Sequence, residues 1–186
     1  MIVSSASPAD PSQDLPTLAL VLGGARSGKS RYAERLIGAR PALYLATGEA
    51  RDVEMQARIR DHQQRRGANW TTREAPLALS EALLAADRPV LVDCLTLWLS
   101  NLLGAGRAID AEIETLVAAL GRVRVPVIFV SNEVGLGIVP DNKLAREFRD
   151  HAGRLHQAVA AVATRVVFVA AGLPLILKEQ SLKDTP

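Results

Sequence analysis

Residues Thr17 to Leu36 read TLALVLGGARSGKSRYAERL, and this stretch decides the fold. The apolar run Leu18 to Leu22 leads into Gly23-Gly24-Ala25-Arg26-Ser27-Gly28-Lys29-Ser30, the pattern G-x-x-x-x-G-K-S of a phosphate-binding loop. The apolar run predicts a buried strand, and Lys29 to Ala39 predicts a helix with Tyr32, Ala33, Leu36 and Ile37 on one face. The pattern therefore sits in the strand–loop–helix context that it needs. Glycines let the backbone turn tightly and come close to a ligand. Their N–H groups and the N-terminus of the following helix make a ready anion site. Lys29 is placed to reach the β- and γ-phosphates of a nucleoside triphosphate, and the Ser30 hydroxyl to ligate Mg²⁺.

Outward from the loop, strands alternate with helices. Short apolar runs at Ala42–Ala46, Pro89–Asp93, Val125–Ser131 and Val166–Ala170 predict four more buried strands. Helical segments are predicted over Asp52–Arg66, Pro76–Ala86, Leu95–Leu103, Ile109–Val123 and Asn142–Ala163, and Trp70–Glu74 is predicted extended. The alternation gives an α/β fold, a mostly parallel sheet with helices on both faces. Leu175–Leu177 is placed as an antiparallel return at the sheet edge, with fraying expected from Lys178. The apolar segment Leu95–Leu103 fits either a buried helix or one that faces a partner subunit. Ligands of such sheets bind at the C-terminal strand ends. That selects Gly23–Ser30, Thr47–Arg51, the end at Asp93 and the Gly-rich Asn132–Pro140 loop.

Composition narrows the function classes. The chain has 186 residues, 48% hydrophobic and 23% charged, which suits one domain over residues 17–180. Residues 1–16, rich in Ser, Pro, Ala and Asp, are expected to be a disordered tail, and residues 181–186 a frayed one. A net charge of +2, with no basic run carrying interleaved aromatics, argues against nucleic acid as a partner. No apolar run reaches the ~18 residues of a membrane span. One cysteine, Cys94, permits no internal disulfide and fits a reducing cytoplasm. Its apolar setting favours packing over catalysis.

Two further residues carry chemistry. Asp93 closes an apolar strand, where an acid can hold Mg²⁺ or simply cap the strand end. His62 follows Met55 and Ile59 on a helical stripe, with Arg58, Arg65 and Arg66 nearby. On these residues alone it is either a structural histidine or a nucleophile at phosphorus whose transferring group the arginines stabilise. The other two histidines, His151 and His156, lie near Arg149 and Arg154 and are expected on a solvated helix face. Asn142-Lys143-Leu144-Ala145 lacks the final acid of a GTPase base-reading motif, so a small-molecule kinase or nucleotidyltransferase fits the size better.

The ordered set of motifs is more specific than the loop. Gly23 to Ser30 followed by Arg31-Tyr32-Ala33-Glu34, then Tyr44-Leu45-Ala46-Thr47, the segment Glu54 to His62, Trp70-x-Thr72-x-Glu74, Asp93-Cys94-Leu95-Thr96 and Ser131 to Pro140 resemble the bifunctional adenosylcobinamide kinase / adenosylcobinamide-phosphate guanylyltransferase family of cobalamin biosynthesis. The resemblance spans about Leu18 to Lys178. It implies a RecA-like phosphate-loop fold, a homotrimer, and two reactions that use ATP or GTP with Mg²⁺. In the first, adenosylcobinamide is phosphorylated; in the second, GMP from GTP is transferred to that phosphate by way of a guanylyl-histidine. The matching histidine here is His62, with Lys29 as the second catalytic residue. Gln63, Gln64, Arg65 and Arg66 match the GTP-binding stretch after it. Ala46, Thr47 and Gly48 match a second nucleotide-contacting segment, and Glu74 and Asp93 match acidic nucleotide-binding positions. A carboxylate can accept from guanine N1–H and its 2-amino group, so one of the two acids can read the base. Asp93 stands where many members have Glu, and Asp61 where some carry a second histidine.

Overall fold

The computed structural model describes residues 15–48, 67 and 69–180. The described residues form seven strands: β1 (Leu18–Gly23), β2 (Ala42–Ala46), β3 (Trp70–Glu74), β4 (Val90–Asp93), β5 (Val127–Asn132), β6 (Arg165–Ala170) and β7 (Leu173–Glu179). The helices are α1 (Lys29–Ile37), α2 (Leu79–Leu84), α3 (Leu95–Gly104), α4 (Ile109–Leu120) and α5 (Lys143–Val162). One sheet holds all the strands in the order β3-β2-β4-β5-β1-β6-β7. Every neighbour pair is parallel except β6 with β7, which is antiparallel.

The central strands are continuous apolar runs because both of their faces are covered. Alternate residues serve different cores. Leu20, Leu22, Leu45, Val92 and Phe129 point to one side, where α2, α3, α4 and α5 supply Leu83, Trp98, Leu99, Leu116 and Leu155. Ala19, Val21, Leu91, Ile128 and Val167 point to the other, where α1 lays down Tyr32, Ala33, Leu36 and Ile37. The helix expected over residues 52–66 lies outside the described residues.

Helix α3 settles the two options left by its apolar sequence. Leu95, Trp98, Leu99 and Leu102 are fully buried within this chain's own core. Its polar groups point inward as well. Trp98 Nε1 donates to the Leu77 carbonyl at 3.0 Å, and Asn101 Nδ2 donates to the carbonyls of Thr47 at 2.7 Å and Pro76 at 3.1 Å. α3 thus holds together the segments that leave β2 and β3.

Several expected boundaries shift. α1 ends at Gly38, which takes a φ of 67° and bonds back to the Glu34 carbonyl, so the helix stops before Pro41. α2 is shorter than residues 76–86. The edge strand β7 runs on through Lys178 to Glu179, where fraying was expected. Arg165 Nε donates to Glu179 Oε1 at 2.9 Å and Lys178 Nζ donates to the Ala160 carbonyl at 3.0 Å, and both contacts hold the strand end.

Candidate functional site

The phosphate loop leaves β1 at Gly23. A Cβ there would sit 2.5 Å from both Ser27 Oγ and the Val169 carbonyl, so no side chain fits. Arg26 (φ 56°) and Gly28 (φ 95°) turn the chain through the left-handed region. Ser27 N–H donates to the Gly24 carbonyl at 3.3 Å, and Gly172 N–H, from the β6–β7 turn, donates to the Ser27 carbonyl at 2.8 Å. Gly28 caps α1 without a side-chain hydrogen bond, and the first turn of the helix carries no acid. No capping side chain or first-turn carboxylate therefore competes with an anion for the N–H groups of that turn.

Lys29 is buried, and its Nζ donates to the Gly24 carbonyl at 3.0 Å, folding the ammonium over the loop. Burial holds its pKa below the ordinary lysine value, with the neighbouring Cys94 and Asp93 acting in the opposite sense. Ser30 Oγ donates to Asp93 Oδ2 at 3.5 Å, and Tyr44 Oη donates to the same oxygen at 2.8 Å. A hydroxyl and a carboxylate so placed are hard oxygen donors that suit Mg²⁺, which keeps waters and phosphate oxygens in its shell and needs few protein ligands. Among the described residues no cluster of three or more His, Cys, Asp or Glu forms an all-protein metal cage.

Three neighbouring strands end at the same level. Ala46 on β2 is in register with Glu74 on β3 and with Asp93 on β4. Ala46 and Gly48 are half-buried and Glu74 is exposed, so this ledge faces outward beside the phosphate loop. Thr47 differs: it is fully buried and its hydroxyl is committed inside the fold. Thr47 Oγ1 accepts from Cys94 N–H at 2.8 Å and donates to the Cys94 carbonyl at 2.8 Å, across a cis Asp93–Cys94 peptide. Thr47 thus ties the end of β2 to the end of β4. Cys94 is buried, and burial pushes its thiol up to about 11, as its expected packing role requires.

The end of β5 was only partly visible in the sequence. Ser131 is fully buried, and its Oγ lies 2.7 Å from His156 Nε2 on α5. His156 Nδ1 lies 3.8 Å from Glu133 Oε2. Asn132 Nδ2 donates to Thr96 Oγ1 at 2.9 Å, and Glu133 N–H donates to the Gly23 carbonyl at 3.0 Å. Three successive residues are therefore fixed to α5, α3 and the phosphate loop in turn. The expected solvated face holds for neither histidine in full: His156 is buried, and burial lowers its pKa against the opposing pull of Glu133. His151 is half-buried, with its Nδ1 2.8 Å from Arg154 Nη2. The missed signal was spacing, because His156 falls four residues after Ala152, beside the buried stripe of Leu155 and Val159. His62, Gln63, Gln64, Arg65 and Arg66 lie outside the described residues.

A phosphate loop between β1 and α1, with an acid at the end of β4 facing its serine, defines a phosphate-loop nucleotide-binding protein of the α/β class. Residues 19–177 match the family described as cobinamide kinase / cobinamide phosphate guanyltransferase, and the chain belongs to that family. It is thus a kinase and guanylyltransferase by family. The bifunctional adenosylcobalamin biosynthesis protein CobP of Pseudomonas aeruginosa is 52% identical over 171 residues, covering 88% of this chain and 98% of that protein. The corresponding CobU proteins of Salmonella typhimurium and Escherichia coli are 46% and 44% identical over 178 residues, each covering 86% of this chain and 98% of its own length. Among solved structures, one from Pyrococcus horikoshii OT3 covers 90% of this chain and 88% of its own at 11% identity and a TM-score of 0.48. No helix among the described residues is long and apolar enough to cross a membrane.

Proposed function

We propose that this chain phosphorylates the aminopropanol hydroxyl of adenosylcobinamide and then transfers GMP to the new phosphate, giving adenosylcobinamide-GDP. In the first step the hydroxyl oxygen attacks the γ-phosphorus of ATP or GTP. The bond to the β–γ bridging oxygen breaks, the nucleoside diphosphate leaves and the hydroxyl proton passes to solvent. In the second, an imidazole nitrogen of His62 attacks the α-phosphorus of GTP, an N–P bond forms and pyrophosphate departs. A phosphate oxygen of the acceptor then attacks that phosphorus, the N–P bond breaks and the imidazole is regenerated.

The observation that carries this reading is the loop itself: buried Lys29 at its mouth, with Ser30 and Asp93 converging 3.5 Å apart. Lys29 supplies positive charge to the transferring phosphoryl group, and the loop N–H groups hold its neighbours. Ser30, with Asp93 beside it, would hold Mg²⁺, which would supply charge neutralisation to the phosphates. One of the two acids level with Ala46, Glu74 or Asp93, accepts from guanine N1–H and its 2-amino group in this reading. Gln63, Gln64, Arg65 and Arg66 bind GTP around His62 in this reading. Thr47 acts by bracing the ledge, since its hydroxyl is engaged. The cytoplasm is the proposed compartment, and a homotrimer the proposed assembly, supported by exposed Leu173, Leu175 and Leu177 on the sheet edge.

Separation of the reaction products tests the sequence of steps. Adenosylcobinamide with γ-labelled nucleotide should yield labelled adenosylcobinamide phosphate, and unlabelled GTP should chase it to adenosylcobinamide-GDP. Failure of the corrinoid to take up label would remove the kinase step.

A further inference from the structure

The loop after β5 exposes an unusual amount of apolar surface. Leu136 is 80% exposed, Ile138 97% and Val139 63%. These side chains are not on a loose end. Ser131, Asn132 and Glu133 pin the start of the loop to α5, α3 and the phosphate loop. Arg146 Nη1 pins its end, donating to the carbonyls of Pro140 at 2.9 Å and Asp141 at 2.7 Å. Asn142 Oδ1 then caps α5 by accepting from Ala145 N–H at 2.8 Å. A braced loop that holds apolar side chains in water is built to be covered.

Its place in the sheet says by what. β5 lies between β4 and β1, so the loop emerges between Asp93 and the phosphate loop. Anything seated on it lies alongside the reacting phosphate. We propose that Leu136, Ile138 and Val139 form the seat for the corrin macrocycle of the acceptor. The macrocycle offers apolar surface in its ring methyl groups and conjugated ring carbons between the polar amide arms, while its hydroxyl-bearing arm can extend toward Lys29. This rests on the reading of the acceptor as adenosylcobinamide. In this arrangement Glu133 and His156 are positioning residues: they set the height of the seat relative to Gly23 and touch no substrate.

Equilibrium dialysis against cobinamide, followed by its visible absorbance, reads the seat without turnover. Ile138→Ser and Leu136→Ser should each weaken cobinamide binding and raise the KM for adenosylcobinamide roughly tenfold or more, the loss expected when a buried aliphatic contact is removed. The KM for nucleotide, the melting temperature and the elution volume on gel filtration should not change. Ile138→Leu should restore binding. Unchanged cobinamide binding in both serine variants would overturn the proposal. So would a changed elution volume, which would make this face a contact between copies of the chain. Wild type that binds cobinamide without phosphorylating adenosylcobinamide would sink the transfer reading and leave the seat standing; wild type that binds no cobinamide would overturn the seat.

Discussion

Single residues here are constrained by what surrounds them rather than by their type alone. Gly28 has a φ of 95°, and a Cβ there would lie 3.2 Å from Gly172 Cα. Gly28→Ala therefore combines a strained backbone, at about 1–3 kcal/mol, with a clash against the β6–β7 turn. Titration with a fluorescent nucleotide should show at least a tenfold loss of affinity, and an unchanged affinity would contradict the role given to the loop. His156 makes a prediction about pH. Burial lowers its folded pKa below the usual 6.5, so the neutral imidazole is the stabilised form. Its contribution is present above about pH 6.5 and is lost as the pH falls from there through the lowered folded value. Melting curves between pH 7.5 and 5 should show a steeper acid loss in wild type than in His156→Gln, which cannot take up that proton. The sequence placed His156 near arginines and so toward solvent. Packing against Ser131, 25 residues earlier in the chain and on β5, overrode that local signal.

At the scale of elements, the sequence was most legible where apolar runs and chain-turning residues coincide. β2 over Ala42–Ala46 and β3 over Trp70–Glu74 form with the expected ends, and α5 starts at its asparagine cap. The ends that moved are set by contacts made at a distance. β7 persists to Glu179 because Arg165, on the neighbouring strand, holds it, and no property of residues 178–179 announces that partner. The burial of α3 likewise could not be separated from an interface by composition, since both need an apolar helix. Its position against β5 and α5 makes it core. Leu99 is fully buried there, so Leu99→Ala should lower unfolding free energy by about 2–5 kcal/mol in denaturant titration, as expected for a large-to-small core change. A loss under about 1 kcal/mol would show that this helix packs less tightly than described.

At the scale of the molecule, the sheet order converts a linear series of motifs into one site. β1, β4 and β5 are separated in sequence but adjacent in the sheet, so Ser30, Asp93 and Glu133 meet around the phosphate loop. On one side of that loop the apolar loop after β5 comes first and the Glu74–Ala46–Asp93 ledge of β3, β2 and β4 lies beyond it, with different chemistry. A charged ledge suits a base, and an apolar loop suits a macrocycle. The alternation of strands and helices predicted the fold class, and the motifs predicted the phosphate site. Which strand ends stand level with one another depends on which strands are neighbours, and β4, β5 and β1 are brought together from distant parts of the chain.

Covalent capture of guanylate tests the proposed role of His62 most directly. Wild type and His62→Ala would be incubated with α-labelled GTP and Mg²⁺, denatured and resolved on a gel. Acid-labile, alkali-stable label is expected on wild type and none on His62→Ala. Absence of label on wild type that binds GTP would contradict covalent transfer and leave a plain kinase. Label persisting on His62→Ala would contradict the assignment of the nucleophile.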